Sequence, residues 1–207
     1  AIMGLTPWTT PVQLYGKKIR AVDEPEAPVS ASKRAIFRRG KDWEQYVGGM
    51  LKTQLERHGH KVDIVASNRR FQDAEHSMFA AEIDFELRLN DEPDLTNAEI
   101  KTVGIAAARS WGESESDDLP TYYTAQAMWG LGVAPGNRQR CIVGAGFGFD
   151  ELRTFTILRD DETLAAMRRM ALTFWNDHVL ARVPPEPRVV ADLDALLKLE
   201  MRPIAIA

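Results

Sequence analysis

Asp84, Glu99 and Lys101 are the residues of this chain whose types and spacing could do chemistry together. Glu99 and Lys101 stand two apart in Asn97-Ala98-Glu99-Ile100-Lys101-Thr102-Val103, which alternates polar and apolar, so in a strand both project from one face. Asp84 lies in Ala81–Leu89, where Ile83, Phe85, Leu87 and Leu89 alternate with Glu82, Asp84, Glu86 and Arg88. That period of two predicts a half-buried strand with Asp84 and Glu86 on its polar face. The link Asn90-Asp91-Glu92-Pro93-Asp94 is rich in turn formers and predicts a hairpin. Pairing the two strands would put Asp84, Glu99 and Lys101 on one wall of a sheet. Two carboxylates with an ammonium beside them suit a divalent metal site flanked by a fixed cation. They also suit an ordinary solvated hairpin face, and on these residues alone both readings stand.

Three other stretches point at the same place. Glu44 lies one step off the apolar stripe of a predicted helix, and Gly48, one turn on, would let that face approach a sheet closely. A carboxylate there enters a metal site directly or through water; otherwise it is a helix-surface glutamate. Tyr122, Gln126 and Trp129 share a face of a helix opened by Pro120. Either this is a core face with one polar edge, or Gln126 orients water or phosphate while Tyr122 packs near the substrate. The basic run Lys33, Arg34, Arg38, Arg39, Lys41 leads into the Glu44 helix, and Arg38 and Arg39 are its candidate phosphate contacts. Lys17, Lys18 and Arg20 form a weaker second cluster.

The elements that must position these residues follow from periodicity and punctuation. Thr10 and Pro11 open a short helix ending near Lys18, and Ala21–Ser32, with Pro25 and Pro28, is a surface connection. From Lys33, Trp43, Val47, Met50, Leu51 and Leu55 recur at helical steps up to a stop at Gly59. Lys61–Ala66 is a first strand, followed by a polar turn through Arg69 and Arg70. Ser110–Leu119 is expected to be a mobile loop, too polar to pack, with Trp111 as its one apolar anchor. A helix runs from Thr121 to about Leu131, and Arg140–Phe147 and Leu152–Leu158 make two more strands around Asp150. Asp160 or Asp161 caps a long amphipathic helix ended by Pro184-Pro185, and Ala191–Leu199 adds a terminal helix. The fold class is α/β, a central mixed β-sheet flanked by helices.

The 207 residues suit one domain over 1–207, and 44% hydrophobic residues suffice for a core. A net charge of −4 names no partner by itself and leaves nucleic acid open, because a local basic patch outweighs the total. A lone cysteine, Cys141, implies a reducing, cytoplasmic setting and reads as a core thiol. No apolar run approaches a membrane span. His58, His60, His76 and His178 show no metal-ligand spacing and are assigned to structure, and Gly144–Gly148 reads as a strand end and turn. The chain begins at Ala1, so a short upstream segment is expected to be missing.

Asp84, then Glu99-Ile100-Lys101, with Glu44 on a preceding helix, resembles the PD-(D/E)XK nuclease core. The wider pattern resembles the YqaJ-type viral recombinases, a family that includes the lambda-exonuclease-like nucleases. The similar segments are AIMGLTPWTTPVQLYGKK, HSMFAAEIDFEL, AEIKT, LPTYYTAQAMWGLGV and RDDETLAAMRRMALTFWNDHVLARVPPEP, in family order from Ala1 to about Pro187. In the fourth, the family's second glutamine position falls at Met128. The resemblance implies a restriction-endonuclease-like core and a Mg²⁺-dependent exonuclease on linear double-stranded DNA, running 5′ to 3′ in phage-type recombination. Mn²⁺ is the expected substitute. It implies that Asp84, Glu99 and the Ile100 carbonyl hold metal, with Glu44 on a second metal or its water. Lys101 would polarise the attacking water or steady the phosphate, and Gln126 would orient the nucleophile. A single-strand annealing protein, a homotrimer and a phage or prophage origin in a bacterial cytoplasm are implied in the same way. The rivals are an endonuclease on the same core and a DNA-binding module that does not cut. A small-molecule hydrolase is disfavoured, since no nucleophile–base pair or cofactor loop appears.

Overall fold

The computed structural model of the chain describes residues 1–19, 30–148 and 150–200. Arg20 and most of the expected Ala21–Ser32 connection lie outside the described residues. The chain forms two compact units, one of Ala1–Pro28 with Ala165–Ala207 and one of Val29–Leu164. No helix among the described residues is long and apolar enough to cross a membrane.

The larger unit is built on a five-stranded mixed sheet in the order β1-β2-β3-β4-β5. The strands are β1 (Val62–Gln72), β2 (Ala80–Leu89), β3 (Thr96–Val103), β4 (Arg140–Phe147) and β5 (Glu151–Leu158). The β2–β3 hairpin forms as the alternation implied, with Phe85 opposite Ala98 and Leu87 opposite Thr96. β3 and β4 run parallel, which requires a crossover, and α3 (Thr121–Val133) lies within it. The other neighbouring pairs are antiparallel.

The helix α2 (Ala31–Arg57) packs Val47, Leu51 and Leu55 against Phe85, Leu87, Leu89, Ala98, Ile100 and Ile142 in one buried cluster. Each of the Val, Leu, Ile and Phe side chains taken out of water contributes roughly 1.5–3 kcal/mol. Gly48 permits the close approach foreseen for it, since a Cβ there would stand 2.6 Å from Cε2 of Phe85. α3 lies against the same sheet through Trp129, whose Nε1–H donates to the Ala80 carbonyl at 3.1 Å.

Three sequence expectations need correction. β1 does not stop at Ala66: Arg69 and Arg70 belong to the strand, opposite Ile83 and Glu82, so the expected polar turn is ladder. An edge strand with one face in water tolerates such residues, and their polarity hid it. Glu86 is not on a solvated face but fully buried, paired to Arg138 through Oε1 and to Arg69 Nη1 at 3.0 Å through Oε2. Ser110–Leu119 also packs: Trp111 and Leu119 are buried, and the Glu115 N–H donates to the Thr154 carbonyl at 2.7 Å. That loop follows a short 3-10 turn, Ile105–Ser110, which the sequence did not announce.

In the smaller unit, Thr10 caps α1 (Pro11–Ile19) as expected, its Oγ1 accepting the Gln13 N–H at 3.1 Å. Asp192 of α5 (Val190–Glu200) is buried. It accepts the Thr10 hydroxyl through Oδ1 and the Arg188 N–H at 2.8 Å through Oδ2. Burial raises the Asp192 carboxyl, but these hydrogen bonds outweigh that and hold it below the usual range. α4 (Asp161–Phe174) starts within the larger unit, at Asp160, whose Oδ1 accepts the Thr163 N–H at 2.6 Å, and its chain runs on into a π-helical turn, Trp175–Leu180, of the smaller one.

Candidate active site

The site begins where a ladder ends. β2 and β3 pair as far as Phe85 and Ala98, and two residues on along β3 the Ile100 N–H goes to a side chain instead. It donates to Oδ2 of Asp84 at 2.7 Å. A strand that gives up its ladder for a carboxylate leaves that carboxylate fixed between two splaying strands.

Glu99, one residue back on β3, is 5% exposed. Its Oε1 accepts from Lys101 Nζ on the same strand and from Gln126 Nε2 on α3. Lys101 also lies over the Tyr123 ring, 5.1 Å from its centroid. Tyr123 in turn contacts Trp111 at 5.2 Å between centroids, so the packed 110–119 loop helps to fix the lysine. On α2, Oε2 of Glu44 stands 3.5 Å from Lys41 Nζ, while its Oε1 is buried without a hydrogen-bond partner.

The electrostatics follow from this crowding. Burial pushes the Glu99 carboxyl up to about 7; Lys101 opposes, and the charges of Asp84 and Glu44 add to the rise. Asp84 is likewise raised, first by burial and then by Glu44, against the pull of the Ile100 N–H and of Lys101. Burial also raises the Cys141 thiol, and the Glu99 and Asp84 charges add to it, which keeps it an inert core group. Tyr123 is pushed up to about 12, first by burial, so its hydroxyl remains protonated.

Asp84 and Glu99, each raised in part by the other carboxylates around it, are short of positive charge. A buried, unpartnered Glu44 Oε1 is costly unless something supplies what it lacks. The donors are hard oxygens, which suit Mg²⁺ or Mn²⁺ and not a soft metal. Among the described residues no three His, Cys, Asp or Glu side chains stand as a ligating cluster. Mg²⁺ usually takes one or two carboxylates and keeps several waters, and the residues present fit it on those terms.

The structure thus brings Glu44, Asp84, Glu99, Lys101 and Gln126 together, with the Ile100 backbone among them. Tyr122 stands one step aside, its ring 4.3 Å from that of Tyr123. Arg38 and Arg39 are exposed on α2, upstream of Glu44. Sequence reasoning missed Tyr123 and the part played by Lys41. Both stand three residues from a residue already singled out, Gln126 and Glu44, so helical spacing carried the signal.

Residues 1–137 match the YqaJ-like viral recombinase domain. The chain belongs to that family. Its likeness to the "Uncharacterized protein YqaJ" of Bacillus subtilis (strain 168) is 27% identity over 184 residues, covering 89% of this chain. The chain spans about half the length of that YqaJ relative, 52% of it. Among solved structures, the YqaJ-like fold is similar to that of an alkaline exonuclease (LHK-Exo) from Laribacter hongkongensis. The TM-score is 0.51 at 18% identity, over 71% of this chain and 70% of that one. The architecture is therefore restriction-endonuclease-like, as the sequence resemblance implied.

Proposed function

We propose that this chain is a metal-dependent deoxyribonuclease that hydrolyses linear double-stranded DNA from its ends, 5′ to 3′, in phage-type recombination. The observation that carries the reading is the clustering of Asp84, Glu99 and Lys101 at the splayed end of the β2–β3 hairpin, with the unpartnered Glu44 Oε1 facing the same shortage of positive charge. Family membership and the name of the structural neighbour support the substrate and the mode. Asp84, Glu99, Glu44 and the Ile100 carbonyl are the groups that would hold Mg²⁺, with Mn²⁺ as a substitute. Bound there, the metal would supply an activated water and neutralise charge on the phosphate.

This chain's own residues do the rest. Lys101 Nζ is a fixed cation beside Glu99, placed to steady the negative charge that grows on the phosphate as the bond breaks. Gln126 holds Glu99 Oε1 through its amide and orients the attacking water. Tyr123 stays neutral and gives Lys101 a ring face to rest on. No base-reading motif stands at the site, so contacts to the backbone, including those of Arg38 and Arg39, position the duplex without choosing sequence. A single-strand annealing protein as partner, assembly as a homotrimer, and action in the cytoplasm of a phage-bearing bacterium belong to the same proposal.

The deciding experiment sets linear duplex, with 5′ ends phosphorylated or not, against a closed circle, with Mg²⁺, Mn²⁺ or EDTA. Loss of the linear DNA alone, only with metal, is expected. Asp84→Ala and Lys101→Ala should each lower the rate by at least about 100-fold. Cutting of the circle would replace the reading with an endonuclease. Tight DNA binding without any cleavage would leave a binding module.

A further inference from the structure

Asn68 stands inside the edge strand β1 with a backbone φ of +53°, in the left-handed region. Residues other than glycine seldom go there, and asparagine is among the few that tolerate it. Such an outlier within a regular element is a cost that something else must offset. The ladder gives its place: between the pairs Ser67–Phe85 and Arg69–Ile83, Asn68 comes opposite Asp84 of β2. Its Oδ1 accepts from Lys41 Nζ, which reaches across from α2.

Lys41 also stands three residues before Glu44, a spacing at which lysine and glutamate on a helix ordinarily close on each other. A closed pair brings nitrogen and oxygen to about 2.7–2.9 Å. Here Nζ stops 3.5 Å from Glu44 Oε2, and the ammonium is bonded to Asn68 instead. Glu44 keeps Oε1 buried without a partner. The lysine is still near the cluster, since its charge opposes the rise that burial, first of all, gives to Asp84. Residue 68 thus meets two demands. It takes a positive φ, which glycine or asparagine does with least strain, and it carries an acceptor for the ammonium, which glycine lacks. Aspartate would supply the acceptor but would set a further negative charge opposite Asp84. Asparagine meets both demands without that charge.

We propose that Asn68 holds Lys41 back from Glu44 and so keeps that carboxylate open to a divalent cation. An ammonium closed on Glu44 would compete with the cation for the same carboxylate. Held at Asn68, it remains a positive charge at the rim of the site, with its side chain 57% exposed. Asn68 is a positioning residue, acting through the lysine. The inference rests on the reading of the cluster as a metal-dependent nuclease centre and deepens it.

The test is calorimetric titration of Mn²⁺ into the chain without DNA. Asn68→Gly keeps the backbone conformation without strain and removes the acceptor, so the ammonium is released onto Glu44. This variant binds Mn²⁺ about fivefold more weakly than the wild type, the size of one well-formed exposed ion pair. Lys41→Gln binds at least as tightly as the wild type, and adding Asn68→Gly to it changes nothing further, because residue 68 acts only through the ammonium. That rescue separates positioning from support of the strand, whose loss would weaken the double variant as much as the single one. An Asn68→Gly protein with wild-type affinity, a double variant as weak as Asn68→Gly, or a wild-type chain that takes up no Mn²⁺ overturns the proposal. Cleavage of linear duplex DNA in Mg²⁺ is the second arm. Absence of cleavage there, with the pattern of Mn²⁺ affinities intact, would sink the nuclease reading and leave the role of Asn68 standing. Cleavage by the wild type, with Mn²⁺ affinity unchanged in Asn68→Gly, would do the reverse.

Discussion

Glu99 carries a cost in the fold that the proposed function would explain. Burial lifts its carboxyl from the usual 4.5 to about 7, so the folded protein holds that proton more tightly than the unfolded chain does. The stability this contributes is complete below about pH 4.5 and is lost as pH rises toward about 7. The metal-free protein should therefore lose stability across that window, and Glu99→Gln should flatten the loss. Near pH 8 the variant should gain about 1–2 kcal/mol, less than the full shift implies because Lys101 loses its partner. Urea melts of both proteins in EDTA at several pH values read this directly, and a destabilised Glu99→Gln at pH 8 would show that the carboxylate is well solvated. The trio itself was legible because alternation places residues two apart on one face. The state of Glu86 was not, because it is buried by Arg138, whose distance in sequence hides the pairing.

Among the elements, α2 links the fold to the site, since it carries both the core stripe Val47, Leu51, Leu55 and the carboxylate of Glu44. Its distance from the sheet is set by Gly48, where a Cβ would meet the Phe85 ring at 2.6 and 2.7 Å. An alanine inside a helix normally gains up to about 1 kcal/mol over glycine. Here the ring is 3% exposed and has no room to retreat, so Gly48→Ala should instead cost about 1–3 kcal/mol, read by denaturant unfolding. Phe85→Leu in the same protein should recover part of the loss. Because α2 would shift as a body, Gly48→Ala should also lower the cleavage rate while leaving DNA affinity nearly unchanged. A stabilised Gly48→Ala protein would mean that helix and sheet are not in contact at this point. Periodicity made α2, α3 and the hairpin legible in advance. It failed for the outer half of β1 and for the 110–119 loop, where polar residues are held by cross-strand pairing and by Trp111, contacts that no local pattern encodes.

At the scale of the molecule, the proposed function asks a chain of net charge −4 to engage a polyanion. Averaged over its surface it repels DNA, so attraction must be local. Arg34, Arg38 and Lys41 stand at helical spacing on the exposed side of α2, and the same face continues one turn on to Glu44. Over those residues the helix rises about 15 Å, enough to follow a strand toward the carboxylates. Each phosphate neutralised releases condensed counterions, so affinity should fall with salt by about 0.9 in log–log slope per contact. Arg34→Gln with Arg38→Gln should therefore flatten the slope by nearly two such steps. The thermal midpoint should hardly move, since exposed charges without a fixed partner among the described residues add little to stability. The measurement is a Kd series from low to moderate salt in EDTA, where no cleavage interferes. An unchanged slope would move the duplex off this face of α2, and with it the path by which a strand reaches Glu44. A slope flattened as expected, on DNA of any sequence, would account for an acidic protein that binds duplex without reading it.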